Sequence, residues 1–255
     1  MHRYRRVEKI GYGTFSTVYK ALRKTDGKYF AMKICSPDPE DLAGILVEAV
    51  VFTQVRHSNL AKCHEVFFHE NSKIVLILDL AKCDLYGIMD NPFNLERCAI
   101  CILHILCGLN HLHNVVNVSH CDIKPDNILY DENDGMFKIT DFNSVNVHGL
   151  HDTPGTTRYY RAPESFEGKY GPESDIWSVG CIMYELLTKK KLFHSDNSKE
   201  HLEMLKNFEE KIKTIVNMDP IAGNLLCSML TIDPTERITA KEAIKHPFIA
   251  PYTMN

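Results

Sequence analysis

The stretch "HCDIKPDNILY", residues 120–130, places an Asp, a Lys and an Asn within six residues, directly ahead of the apolar pair Ile128 and Leu129. Phosphoryl transfer is a reaction that needs an anion, a cation and an amide so close together. The attacking hydroxyl needs a base or an orienting group, the transferring group needs cations on its oxygens, and a divalent metal needs oxygen ligands. Asp122 can accept the hydroxyl proton, Lys124 can neutralise the transferring group, and Asn127 can supply an oxygen to the metal. Further on, "ITDFN" offers Asp141 as a carboxylate for the same metal, and hard oxygen ligands suit Mg2+. The bland alternative, a charged surface loop, leaves this order and spacing to chance.

A second set of residues could hold the phosphate donor. "IGYGTFSTVYKA" carries Gly11 and Gly13 between two strand-like runs, and glycines let a hairpin backbone approach phosphates and donate its N–H groups. Alone, this could be any Gly-rich hairpin. It gains weight from "FAMKI", because Ala31 and Val18 are small enough to flank a flat ring and strand alternation puts Lys33 on the same face as Ala31. Glu48, inside the next helical stretch, could pair with Lys33 and hold it.

The elements that must position these groups fall into two sets. Residues 4–13, 16–24, 28–36, 61–70 and 72–80 read as short strands broken by Gly, Asp and Asn turns, with one helix over about 41–56. Beyond residue 84, helical periodicity dominates, over 95–114, 174–188, 199–215, 221–229 and 239–245. Two short strands should flank an Asp134-Gly135 turn. The expected fold is α+β and bilobal, with a small antiparallel β-rich lobe carrying one main helix (about 1–80). A hinge (about 79–84) leads to a larger, mostly helical lobe (about 85–250).

The chain has 255 residues, 44% apolar and 24% charged, with a formal net charge of -4. That balance argues against direct nucleic-acid binding and against a membrane surface, both of which want a basic excess. Nine Cys lie scattered without paired spacings and no signal peptide is visible, so reduced thiols in an intracellular protein, nuclear or cytoplasmic, are expected. Cys98, Cys101 and His104 sit at helical spacing in an apolar run, which favours a buried helix over a metal site. No apolar run approaches the ~20 residues needed to span a membrane.

Taken in order, Gly11-x-Gly13, Ala31-Met32-Lys33, Glu48, His120-x-Asp122-x-Lys124-x-x-Asn127, Asp141-Phe142, Ala162-Pro163-Glu164, Asp175-x-Trp177 and Arg237 resemble a eukaryotic protein kinase catalytic domain over residues 4–248. The resemblance implies a protein serine/threonine kinase using ATP and Mg2+, with dual specificity left open and protein substrates as partners of a monomer. It makes Asp122 the catalytic base, with Lys124 and Thr157 beside it, and gives Asn127 and Asp141 to the metals. Lys33, restrained by Glu48, would contact the α- and β-phosphates. Ile10, Gly11 and Gly13 would cover the nucleotide, and Val18, Ala31 and Leu129 would sandwich the adenine. Leu78 falls at the gatekeeper, Asp79 and Ala81 on the hinge, and Asp84 near the ribose. Glu164 and Arg237 would pair internally, and Phe52, Cys63, His120 and Phe142 would stack as a spine.

Within the family, "TTRYYRAPE", "SDIWSVGC" and "DPTERITAKEAIKHPF" are similar to the CMGC branch, and "HCDIKPDN" and "DNSKEHLEMLK" to its DYRK and CLK (LAMMER) members. The helical insert of that branch, expected between residues 208 and 219, is missing. Arg161 points to Ser/Thr-Pro substrates. Asp126 points to Arg/Ser-rich ones, although a structural salt bridge is equally open for it. Three departures stand out. Ser16 replaces the third phosphate-loop glycine. Asn143 replaces the Gly of "DFG", where its tolerance of positive φ would preserve the backbone. Cys121 replaces the Arg that pairs with an activation-segment phosphate. With Asp152 five residues before Thr157 and no Tyr between Phe142 and Arg158, activity without activation-segment phosphorylation is expected; Ser144, Thr153 and Thr156 remain the hydroxyls to test. The alternative is a pseudokinase acting as a nucleotide-binding scaffold, and Asn143 is its main support.

Overall fold

Strand alternation in the first third of the chain builds a sheet whose two faces have different neighbours. The computed structural model describes residues 2–13, 16–36, 42–69, 73–90, 93–147, 158–195 and 198–253. The expectations placed on Thr157, Asp152, Thr153 and Thr156 lie outside the described residues. β1 (Tyr4–Tyr12), β2 (Ser16–Arg23), β3 (Tyr29–Cys35), β4 (Cys63–His69) and β5 (Lys73–Leu78) form an antiparallel sheet in the order β1-β2-β3-β5-β4. Phe30, Met32 and Ile34 join Tyr4, Val75 and Ile77 on one face. Ala31 and Cys35 join Ile74, Leu76 and Leu78 in the core that continues into the second lobe. α1 (Leu42–Gln54) shares that inner core through Ile45, Ala49 and Phe52. The one charged residue of α1, Glu48, is on its buried side, so some other group must supply a cation there.

The chain then crosses to β6 (Cys83–Asp84) and the single turn α2 (Tyr86–Met89). α3 (Leu95–His111) starts at Asn94, whose side chain accepts from the Arg97 N–H at 2.8 Å, a standard helix N-cap. α3 continues into a π-turn, Leu112–Val116, where the sequence predicted plain helix. The wider turn ends on Asn117 in the left-handed region (φ 62) and brings His113 onto the next helix of the core, as described below. Together Leu95–Val116 are long and apolar enough by composition to cross a membrane. That corrects the expectation that no run approaches this length: single His and Asn residues barely dilute the Leu, Ile and Cys. Here the helix is largely built into the core, packed on β9 (Met136–Ile139), α4 (Pro172–Thr188) and α7 (Ala240–Ala243). Cys98 and Cys101 are fully buried, and His104 Nδ1 accepts from the Phe137 N–H at 3.2 Å.

β7 (Val118–Ser119) pairs with β10 (Asn146–Val147), and β8 (Ile128–Asp131) lies between β6 and β9. The β8–β9 turn carries Gly135 at φ 70, as the Asp-Gly pair predicted. α4 is buried from Ser174 to Leu186, making it the axle of the large lobe, and Trp177 stacks on Phe193 at 6.0 Å. α5 (Ser198–Met218) runs unbroken to Met218 and is followed by α6 (Pro220–Met229). The two lobes also touch away from the hinge. Leu60 bridges Ile139, the Ala61 N–H donates to the Ile139 carbonyl at 2.8 Å, and the Ile139 N–H donates to the Asn59 carbonyl at 2.9 Å. Gly108 of α3 makes room for this graft, since a Cβ there would meet the Asn59 carbonyl oxygen at 2.9 Å.

Candidate active site

The loop carrying Asp122 is clamped from below by the carboxylate of the "SDIWSVGC" stretch. Asp175, 1% exposed on α4, accepts from the His120 N–H and the Cys121 N–H at 2.8 Å each, and contacts His113 Nε2 at 2.8 Å. The clamp holds Cys121 at φ 63, a conformation costing a non-glycine residue about 1–2 kcal/mol. His120 Nδ1 accepts from the Asp122 N–H at 3.3 Å, so its Nε2–H donates to the Thr140 carbonyl at 3.0 Å. One imidazole therefore ties the Asp122 loop to the residue before Asp141. Asp122 is 6% exposed. Lys124 Nζ lies 2.6 Å from its Oδ2, and Asn127 Nδ2 donates to its carbonyl at 2.8 Å and its Oδ2 at 3.1 Å. With the Asn127 amide nitrogen so engaged, its Oδ1 is the atom left to face a cation.

The upper half assembles around Lys33. Strand register lines up Gly11, Val18, Lys33 and Leu76 across β1, β2, β3 and β5. Lys33 Nζ sits 2.6 Å from Glu48 Oε1 and 2.6 Å from Asp141 Oδ1, so β3, α1 and the end of β9 meet on one ammonium. Burial alone would lower the Lys33 ammonium, but Glu48 and then Asp141 hold it above the ordinary lysine value. Burial raises the Glu48 carboxyl against the opposing pull of Lys33. Asp141 ends below the usual carboxylate range, because Lys33 outweighs the burial that would raise it. Phe142 fixes this corner, edge-on to Phe52 at 4.7 Å and to His120 at 5.5 Å, with Cys63 buried in the same core.

Asn143 does not do what its residue type suggested. The left-handed residue is Asp141 (φ 67), and Asn143 lies in an ordinary 3-10 turn, Phe142–Ser144. The turn begins at Asp141, so the unusual angle falls one residue before Phe142 rather than one after it. Gly44 of α1 packs on this turn, where an added Cβ would lie 3.2 Å from the Asn143 carbonyl oxygen.

Along the lobe boundary, Ala31 pairs with Leu78 and Asp84 with Leu129, while Val18 and Leu129 are half-buried against the core. Ile10 is exposed on β1, and Gly13 closes the hairpin by donating its N–H to the Ser16 carbonyl at 2.8 Å. Two hinge carboxylates are partly committed. Asp79 Oδ1 contacts His64 Nε2 at 2.5 Å, so its side chain is tied to β4, and Asp84 Oδ1 accepts from the Gly87 N–H at 2.9 Å. Ala81 lies between them at the crossing.

On the far side, Arg237 is 4% exposed and meets Glu164 through two bonds, at 2.6 and 2.9 Å. Three backbone carbonyls take its remaining donors. Beside the catalytic loop the structure also brings together Tyr86, Tyr160 and Glu185: the two hydroxyls meet at 2.8 Å, and Tyr160 donates to Glu185 Oε2 at 2.6 Å. The only sequence hint of this group was a carboxylate inside the apolar stretch of α4.

The family model described as protein kinase domain matches residues 4–249. Proteins of this family use ATP and Mg2+ and act on protein substrates. With a sheet-rich lobe, a helical lobe and a family model matched over nearly its whole length, this chain belongs to the protein kinase family, as a catalytic domain of the eukaryotic type.

Proposed function

We propose that the chain is a catalytically active protein serine/threonine kinase. The observation that carries this reading is the two-sided engagement of Lys33, 2.6 Å from both Glu48 and Asp141, above an intact Asp122–Lys124–Asn127 cluster. Asp122 would orient the substrate hydroxyl and receive its proton, and Lys124, already on Asp122, would stabilise charge on the transferring oxygens. Lys33 would meet the α- and β-phosphates under the Gly11 and Gly13 hairpin, with the ring between Val18, Ala31 and Leu129 and the hinge backbone at Asp79 and Ala81. The donor set suits Mg2+, with the Asn127 amide oxygen and an Asp141 carboxylate oxygen as hard ligands. The metal would supply charge neutralisation at the phosphates.

The same reading puts the chain near the DYRK and CLK kinases of the CMGC branch, as an intracellular monomer. The likeness of Arg161 in "YRAPE" to the branch residue that shapes the pocket after the phosphoacceptor supports a Ser/Thr-Pro preference. Independence from activation-segment phosphorylation is supported by Cys121, whose loop is held by buried Asp175 and which has no charge to offer a phosphate.

The test is transfer of labelled γ-phosphate from Mg-ATP to a degenerate Ser/Thr peptide array, with Asp122→Asn and Lys33→Met alongside. Transfer by the parent and neither variant is expected. Folded, ATP-binding parent protein without transfer would replace this reading with a nucleotide-binding scaffold.

A further inference from the structure

Lys191 lies just beyond α4, on a segment fixed at both ends. Lys189, the left-handed residue that ends α4 (φ 61), bonds to the Met89 carbonyl and lies 5.7 Å from the Phe93 ring. Leu192 and Phe193 are buried, and Lys211 donates to the Leu192 carbonyl at 2.8 Å. Between these anchors the Lys191 ammonium is held 4.5 Å from the Tyr159 ring centre and 5.7 Å from that of Tyr86. Behind the rings runs the Tyr86–Tyr160–Glu185 chain of hydrogen bonds. Asp126, exposed in the turn between Lys124 and Asn127, follows Pro125, whose carbonyl accepts from the N–H of Leu85, the neighbour of Tyr86, at 3.3 Å. Burial would lower the Lys191 ammonium, yet its bond to Tyr86 and the Glu185 charge hold it above the ordinary lysine value.

An aromatic site backed by a hydrogen-bonded carboxylate, with a second carboxylate on the neighbouring turn, is the chemistry that receives a guanidinium or an ammonium. It flanks the loop where a substrate hydroxyl must arrive, and here a side chain of the protein itself fills it. We propose that Lys191 is a specificity-determining residue: it occupies the Tyr86–Tyr159–Glu185 site beside Asp126 and excludes a basic substrate side chain from the position that lies over it. Asp126 alone would have suggested the opposite preference. The charge of Lys191 neutralises the site, so the substrate residue passing over it is neutral or acidic. This rests on the kinase reading, since it concerns the peptide that reaches Asp122.

The experiment uses the full chain as wild type, K191M, K191Q and K191R. Ser peptides carry Arg or norleucine at each flanking position in turn. Two quantities are read: the Arg-to-norleucine ratio of kcat/KM, and the same ratio in equilibrium binding of Ala-for-Ser peptides by fluorescence anisotropy. At one position K191M and K191Q should raise both ratios about tenfold, while K191R keeps the wild-type ratios. A purely structural Lys191 would lower affinity for both peptides alike. Unchanged ratios at every position in either folded charge-removing variant overturn the proposal, as does a K191R that behaves like K191M. Absence of transfer by wild type would defeat the kinase reading, and the binding ratios would still decide the role of Lys191.

Discussion

The two sides of the cleft balance their charges differently. In the large lobe Asp175 meets three donors and Arg237 gives all its bonds to Glu164 and backbone carbonyls, so each buried charge is fully matched. On the small-lobe side one ammonium serves two carboxylates, Glu48 beside it and Asp141 from the large lobe, and Glu48 Oε2, fully buried, has no partner among the described residues. A matched buried charge resists displacement, because any movement strands it in a low dielectric. An undersupplied site loses less by rearranging. The large lobe is therefore built as a rigid platform, and the small-lobe corner as the place where geometry adjusts when a cationic ligand complex enters.

Breaking the platform should have the larger effect on stability. R237M strands Glu164 and removes the packing on Trp177, and should cost about 3–5 kcal/mol in urea unfolding. A loss smaller than that of K33M would reverse the contrast. K33M should instead lower transfer by about a hundredfold or more with a smaller effect on folding that depends on pH. Without its cation the folded Glu48 carboxyl rises further above its unfolded value, and stability falls as pH climbs through that interval. Thermal melts should thus separate K33M from wild type more at pH 8 than at pH 5, and equal separation would mean that Lys33 does not compensate Glu48. The smallest effect is expected of N143G, which should lose about 0.5–1 kcal/mol through chain entropy, with transfer unchanged. A gain in transfer would mean that this position needs a positive φ after all.

What could be foreseen in the sequence was local. Alternation placed Ala31 and Lys33 on one face because a strand has a strict period of two, and "HCDIKPDN" carried its chemistry within a few residues. What could not be foreseen depends on backbone groups meeting distant side chains. Nothing in the spacing of Asp175 reveals that it holds two N–H groups more than fifty residues upstream. The π-turn that delivers His113 to the same carboxylate interrupts a run that reads as uninterrupted helix. Side-chain type points to Asn143 as the left-handed residue, whereas the turn geometry puts that conformation at Asp141. The place of Lys191 likewise depends on distant groups, because Lys189 on the Met89 carbonyl and Lys211 on the Leu192 carbonyl fix the chain on either side of it.

The graft of Asn59, Leu60 and Ala61 onto Ile139 has a mechanical consequence. With the covalent crossing after β5, it gives the small lobe two backbone attachments to the large one, beside the side-chain contacts of Lys33 with Asp141 and of Phe52 with Phe142 that must let go before the lobes part. A body fastened at two points swings about the line through them and resists turning in any other sense. Both fastenings lie by β4 and β5, at one end of the strand order, and β1 lies at the other. Cleft opening is thus the swing of a door, and its free edge is the β1–β2 hairpin that carries Gly11 and Gly13.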